Sequence, residues 1–119
     1  PENPVPEPVN FTATKKWVGL PAGTRGATIS LQLKRNGVAY GDAVSVTDSG
    51  THTKSYTWFD LPRYAPDATE YTYTVIEPVV PNGYTMSQTG NTITNTYDVP
   101  VPEAIPGVSV LLNIGDCLE

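Results

Sequence analysis

Apolar and polar residues alternate with a period of two through most of the chain between residues 10 and 98. In the stretch FTATKKWV, Phe11, Ala13 and Trp17 share one parity. Because successive side chains of a strand point to opposite faces of a sheet, this parity predicts a strand with one buried face. Thr, Val, Tyr and Ile dominate the other segments, and turn signals recur at short intervals. About seven strands are predicted, over residues 11–17, 27–34, 38–47, 52–59, 69–77, 84–87 and 91–97.

This pattern predicts an all-β fold, an antiparallel β-sandwich. The strongest turn signal is Asn36-Gly37, which favours a two-residue hairpin with positive φ at both positions. No segment shows a 3.6-residue apolar period long enough to predict a helix.

Three polar residues occupy core-facing positions of the predicted strands, in register with apolar neighbours: Lys15, Glu77 and Asn95. Any one of them alone would be expected to reach solvent at a strand end. Burying a lone charge or an unpaired amide costs several kcal/mol, so three such residues in three strands make sense mainly if their side chains meet.

A cluster of this composition has a specific chemistry. Burial lowers the pKa of a lysine and leaves a neutral, nucleophilic amine, whereas burial raises the pKa of a glutamic acid, which can then carry protons. The amine of Lys15 would attack the side-chain amide of Asn95 with Glu77 as proton shuttle, and ammonia would leave. The product is an isopeptide bond, formed in a single turnover. Lys16 is the alternative amine, but it shares the parity of the threonines and is expected in solvent.

The segments TKKW, YTWFDLPRY, YTYTVIEP, PNGYT and ITNTY, in this order, resemble the Cna B-type (collagen-adhesin B-region) domains of Gram-positive surface proteins and pilins. The resemblance implies a sandwich of inverse immunoglobulin, transthyretin-like topology. It also implies a Lys–Asn isopeptide bond between the first and last strands, promoted by a glutamate. The family lysine, glutamate and asparagine fall on Lys15, Glu77 and Asn95. The segment VGLPAGTRGA lacks the Asp and Asn residues often found after the family tryptophan, and no sortase anchor motif is present.

Proline-rich segments flank the predicted sandwich. Residues 1–9 are expected to form a polyproline II linker, residues 10–98 the Cna B-type domain, and residues 99–119 a second linker and tail. The tail from residue 107 is interpreted as the start of a further domain or as a cloning remnant.

Composition and charge exclude several classes of function. The chain has 119 residues and a net charge of −5 without a basic stripe, which argues against nucleic acid and acidic membrane surfaces as partners. No apolar run approaches the roughly 20 residues of a spanning helix, so no membrane insertion is expected. The lone Cys117 can form no internal disulfide. His52 has no neighbours at metal-ligand spacing, and neither a metal nor another cofactor is expected.

Together these features predict a monomeric, extracellular stalk or repeat module of a Gram-positive cell-wall surface protein, with neighbouring domains of the same protein as partners. The alternative is an adhesin module that binds a host extracellular-matrix protein through a sheet edge or through loops around three tyrosines: Tyr40, Tyr64 and Tyr84. These tyrosines would otherwise be ordinary sandwich residues. A hydrolase lacks the necessary parts, because His52 has no recognisable nucleophile and carboxylate around it. Three acidic residues lie in apparent loops at unrelated spacing: Asp42, Asp48 and Asp60.

Overall fold

The chain folds into two packed β-sheets, as shown by a computed structural model that describes residues 7–99. Much of the two predicted proline-rich segments, and the whole tail with Cys117, lie outside the described residues. The prediction of an all-β fold is confirmed, and no helix that could span a membrane occurs between residues 7 and 99. The strands are β1 Val9–Val18, β2 Ile29–Arg35, β3 Val38–Ala39, β4 Val44–Val46, β5 Thr53–Leu61, β6 Tyr73–Ile76, β7 Tyr84–Thr89 and β8 Thr92–Tyr97.

The segment 38–47 differs from its prediction, because it forms two short strands instead of one. Between β3 and β4 the chain passes through Gly41, whose φ of 77° interrupts the extended backbone. The predicted hairpin between β2 and β3 is present, with φ values of 52° at Asn36 and 82° at Gly37. Both values are positive, as a two-residue turn of type I′ requires.

The first sheet has the strand order β5-β1-β8-β7, so the first and the last strand of the domain are neighbours in it. Strands β1 and β8 are parallel neighbours, in register from Thr14↔Thr92 to Val18↔Thr96. The other strand pairings of the described residues are antiparallel. Because β1 and β8 run in the same direction, the chain enters the sandwich at one end and leaves it at the opposite end.

The second sheet is organised around β2, which pairs with β3, β4 and β6. Apolar side chains of the two sheets meet in one core cluster, formed by Ala13, Trp17, Ile29, Leu31, Val46, Val75 and Ile93. This packing brings the β6 end of the second sheet against the β1–β8 pair of the first.

The loop between β1 and β2 covers the indole of Trp17. A Cβ atom on Gly26 would lie 2.1 Å from Cδ1 of Trp17, so only glycine allows the backbone to approach the ring this closely. Trp17 Nε1 donates a hydrogen bond of 2.9 Å to the carbonyl oxygen of Ala27. The tryptophan is thereby packed and hydrogen-bonded by the same loop.

Candidate functional site

Lys15 and Asn95 lie on the two parallel strands of the first sheet. Lys15 is opposite Ile93, and Asn95 is opposite Trp17, so the two polar residues are diagonal neighbours. They share the sheet face of Ala13 and Trp17, which is directed at the second sheet. Both residues are fully buried, with 0% of their surface exposed.

Glu77 reaches the same place from the other sheet. It directly follows β6 and precedes Pro78, and a residue before proline is held in an extended conformation. The alternation of β6 therefore continues for one more residue, and Glu77 points inward on the side of the buried Val75. The exposed fraction of Glu77 is 5%. Two polar residues from β1 and β8 and a third from the end of β6 thus meet inside the sandwich.

The carboxylate of Glu77 contacts both of its polar neighbours. Its Oε2 accepts a hydrogen bond of 2.8 Å from Nδ2 of Asn95, and its Oε1 lies 3.3 Å from Nζ of Lys15. The contact with Lys15 is an ion pair without hydrogen-bond geometry. Three buried polar atoms consequently lack a hydrogen bond: Lys15 Nζ, Glu77 Oε1 and Asn95 Oδ1.

The surroundings of Lys15 decide its protonation. Burial disfavours the ammonium ion and lowers the pKa of Lys15 below its ordinary value of 10.5, although the charge of Glu77 opposes this shift. The ring of Trp17, with its centroid 5.4 Å from Nζ, also favours the charged form slightly. Because desolvation has the largest effect, a neutral amine is more accessible here than on a solvated lysine.

Asp48 is a further buried polar residue, to which the sequence assigned only a loop position. It is 0% exposed and accepts backbone hydrogen bonds from Gly26, Gly50 and His52, at 2.7, 2.8 and 2.9 Å. Burial alone would raise the pKa of Asp48, but these three donors outweigh it, and the pKa lies below its ordinary value of 3.8. The Asp-Ser-Gly sequence indicates a local turn. The bond to Gly26 joins loops 22 residues apart and has no signal in the sequence.

His52 is the first residue of the predicted strand 52–59, but it lies just outside β5, which begins at Thr53, and its side chain is partly exposed. It precedes β5 with a φ of 64°, and its Nε2 lies 2.9 Å from the carbonyl oxygen of Thr24 and 3.7 Å from Oδ2 of Asp48. Its ring therefore helps to hold the β1–β2 loop. Within residues 7–99, no group of three or more His, Cys, Asp or Glu side chains could hold a metal ion.

The three tyrosines of the adhesin hypothesis differ in their surroundings. The hydroxyl of Tyr84 accepts a 3.1 Å hydrogen bond from the Ala27 N–H, and its ring packs against the core. Tyr84 is therefore a structural residue. Tyr64 is 41% exposed, and Tyr40 stacks on the guanidinium of Arg35 at 4.1 Å. Tyr64 is therefore a surface residue, whereas Tyr40 is partly buried against Arg35 and Tyr73.

The fold and this site define a β-sandwich module whose parallel first and last strands enclose a buried Lys–Glu–Asn cluster. The model of the Cna protein B-type domain matches residues 11–96. The chain belongs to this family, as its motifs predicted. A comparison with curated proteins gives no significant match.

Among solved structures, the chain is similar to a single B repeat unit, B1, of the collagen-binding surface protein Cna of Staphylococcus aureus. The match has 31% identity and a TM-score of 0.64, and it covers 77% of this chain and 48% of that one. Two B repeat units of the same protein, B1B2, match at 30% identity with a TM-score of 0.62, covering 77% of this chain and 24% of that one. The chain thus spans about half the length of the single-repeat structure. These neighbours support the class of surface-protein repeat modules.

Proposed function

We propose that this domain is a tension-bearing stalk module of a Gram-positive cell-wall surface protein, and that it crosslinks itself through an isopeptide bond between Lys15 and Asn95. One observation carries this proposal. The first and last strands are parallel neighbours, so a pull on the two ends of the chain shears β1 against β8. A covalent bond between these two strands would transmit the load directly across the sheared pair.

The proposed reaction uses only groups within the cluster. The neutral Nζ of Lys15 attacks Cγ of Asn95, a new C–N bond forms, and the bond from Cγ to Nδ2 breaks. Glu77 takes a proton from Nζ and delivers one to the departing nitrogen, which leaves as ammonia. Glu77 suits this task because its two oxygens face the two nitrogens, at 3.3 and 2.8 Å. Both partners are consumed, so the domain acts once and on itself.

The unreacted cluster provides part of the driving force. A buried polar atom without a hydrogen bond costs about 1–3 kcal/mol, and three such atoms lie together here. Lysine and asparagine together carry four or five N–H donors, depending on the charge of the lysine, whereas the secondary amide product carries one. Condensation would therefore leave far fewer buried donors to satisfy.

The bond would also stabilise the fold, because it closes a loop of about 80 residues between Lys15 and Asn95. By analogy with a disulfide, a loop of this size corresponds to roughly 4–5 kcal/mol of lost unfolded-state entropy. This contribution is large for a domain of fewer than 100 residues, whose stability is on the order of 5–15 kcal/mol.

Intact-mass measurement of the purified chain tests the proposal. We expect a mass lower than the calculated value by one ammonia, and tandem spectra that join the Lys15 and Asn95 peptides. Lys15→Ala, Asn95→Ala and Glu77→Ala should each keep the full mass of their own sequence. Lys16→Ala is the matched control and should still lose ammonia, because Lys16 is exposed on the opposite face. A parent chain at full calculated mass would refute the crosslink, and a Glu77→Ala chain that reacts at the parental rate would refute the shuttle.

A further inference from the structure

Arg35 and three tyrosines form a partly exposed cluster near the end of the sandwich where the chain enters. This Arg35 cluster consists of Arg35, Tyr40, Tyr71 and Tyr73. The guanidinium carbon lies 4.1 Å from the ring centroid of Tyr40 and 4.0 Å from that of Tyr71. The cation is therefore stacked on two aromatic rings.

Stacking limits how the guanidinium can bind a ligand. Its N–H groups lie in its own plane, so a guanidinium held against rings donates from its edge, where a carboxylate can accept two parallel hydrogen bonds. Among residues 7–99, no carboxylate lies within ion-pair distance of Arg35. The cluster thus presents an oriented cation, flanked by aromatic surface, without a counter-ion in the described part of the chain.

The position of the cluster follows from the strand pairing. Val9, the first residue of β1, pairs with Leu61. The residue after Leu61 is Pro62, whose carbonyl oxygen accepts a 2.6 Å hydrogen bond from the hydroxyl of Tyr73. Tyr73 is in turn paired with Arg35. The cluster therefore lies beside the entry of the chain, whereas β8 ends at the opposite end of the sandwich.

The sequence supplies a segment of complementary chemistry on each side of the domain. The tetrapeptide Pro-Val-Pro-Glu occurs at residues 4–7 and again at residues 100–103. Proline-rich segments favour the polyproline II conformation and dock on aromatic surfaces, and the glutamate adds the carboxylate that Arg35 lacks.

We propose that the Arg35 cluster binds the Pro100–Glu103 segment of a neighbouring copy, head to tail. The carboxylate of Glu103 lies on the edge of the Arg35 guanidinium, and the prolines pack on the tyrosine rings. The inference goes beyond the stalk function and does not depend on whether the Lys15–Asn95 bond forms.

Reach excludes binding within one copy. The ten residues of β1 separate the two ends of the sandwich by roughly 33 Å. From Tyr97, where β8 ends, six residues lead to Glu103 and span only about 19 Å as polyproline II, so Glu103 falls short of Arg35 in its own chain. The first copy of the tetrapeptide ends two residues before β1, at the entry end of the sandwich, but its glutamate, Glu7, makes no ion pair with Arg35. In a head-to-tail arrangement, by contrast, Pro100–Glu103 of one copy leaves directly beside the entry end of the next.

A peptide titration followed by NMR tests this proposal. The labelled chain carries Glu7→Gln and Glu103→Gln, so that neither of its own tetrapeptides competes. The added peptide is DVPVPEAIP, residues 98–106, with blocked ends. We expect saturable shifts at the Arg35 side-chain N–H and at the rings of Tyr40 and Tyr71. A peptide with Gln in place of Glu103 should bind about tenfold more weakly, because charge-assisted hydrogen bonds are roughly twice as strong as neutral ones.

Two variants separate recognition from general charge. Arg35→Lys keeps the charge but loses the planar fork and should weaken binding about as much as the peptide substitution. Lys34→Ala removes one charge from the adjacent position of β2, whose side chain faces the other way, and should leave binding unchanged. Equal affinity for the Glu and Gln peptides would overturn the proposal. Shifts centred on Trp58 and the exposed Phe59 of β5 would also overturn it, because they would place the peptide outside the Arg35 cluster. The same holds for the absence of any saturable shift at a peptide concentration on the order of 10 mM.

Discussion

The proposed crosslink has a mechanical consequence that can be measured one molecule at a time. If Lys15 and Asn95 are joined, force applied at residues 7 and 99 passes from β1 to β8 through the bond, and the enclosed chain carries no load. Glu77→Ala keeps both bonding partners but lacks the proton shuttle. We therefore expect this variant to unfold completely under force, whereas the parent does not.

The sizes of the two extensions follow from the strand register. About 80 residues lie between Lys15 and Asn95, and each adds at most about 3.3–3.6 Å of contour, so the variant should lengthen by roughly 270 Å. The folded distance to subtract is small, because the two residues are diagonal neighbours on adjacent strands. In the parent, Val9–Thr14 and Thr96–Tyr97 lie in strands outside the bond. Strand residues already rise about 3.3 Å each, so peeling these two segments adds almost no length.

The assay is single-molecule pulling between handles at the two ends of the described domain. Lys16→Ala is the matched control: it removes the adjacent lysine and should retain the short parental extension. A step near 270 Å in the parent would show that the crosslink does not shield the fold from force. A short extension in Glu77→Ala would instead show that the bond forms without the glutamate.

Two further predictions concern the loops that close the core. Gly26→Ala would place a Cβ 2.1 Å from the Trp17 ring and should lower the melting temperature, with a loss of at least about 1–3 kcal/mol, whereas Ser49→Ala in an exposed turn should not. Because the pKa of Asp48 is lowered in the folded state, its contribution to stability is complete above about pH 4 and is lost as the pH falls below 3.8. Chemical unfolding at several pH values should therefore show a smaller acid loss for Asp48→Asn than for the parent, and identical slopes would contradict this role.

Strand parity was sufficient to predict the burial of the Lys–Glu–Asn cluster, because Lys15 and Asn95 lie in strands with an unbroken alternation. Glu77 follows β6, but Pro78 keeps the backbone before it extended, so the alternation of side-chain directions along β6 also applies to Glu77. The parallel pairing of β1 with β8 was not predicted from the alternation, since parity gives the face of a residue and not the neighbour of its strand. That neighbour is fixed by the packing of the whole sandwich.

Asp48 and His52 show the opposite case. Both lie between strands, where no alternation exists, and their partners come from the distant loop around Gly26. A local signal, Asp-Ser-Gly, predicts the turn but not the bond that joins the turn to the β1–β2 loop. Tertiary contacts of this kind depend on how the loops cover Trp17, which no local pattern contains.

The arrangement of the cluster also sets the order of folding and reaction. Lys15 lies near the start of the domain, Asn95 near its end, and Glu77 on the other sheet, so the three side chains meet only after both sheets have packed. The lowered pKa of Lys15 is likewise a property of the packed state, because desolvation is its main cause. An unfolded chain has neither the geometry nor the neutral amine. The proposed bond would therefore form only on the native fold and would fix that fold against the forces it meets afterwards.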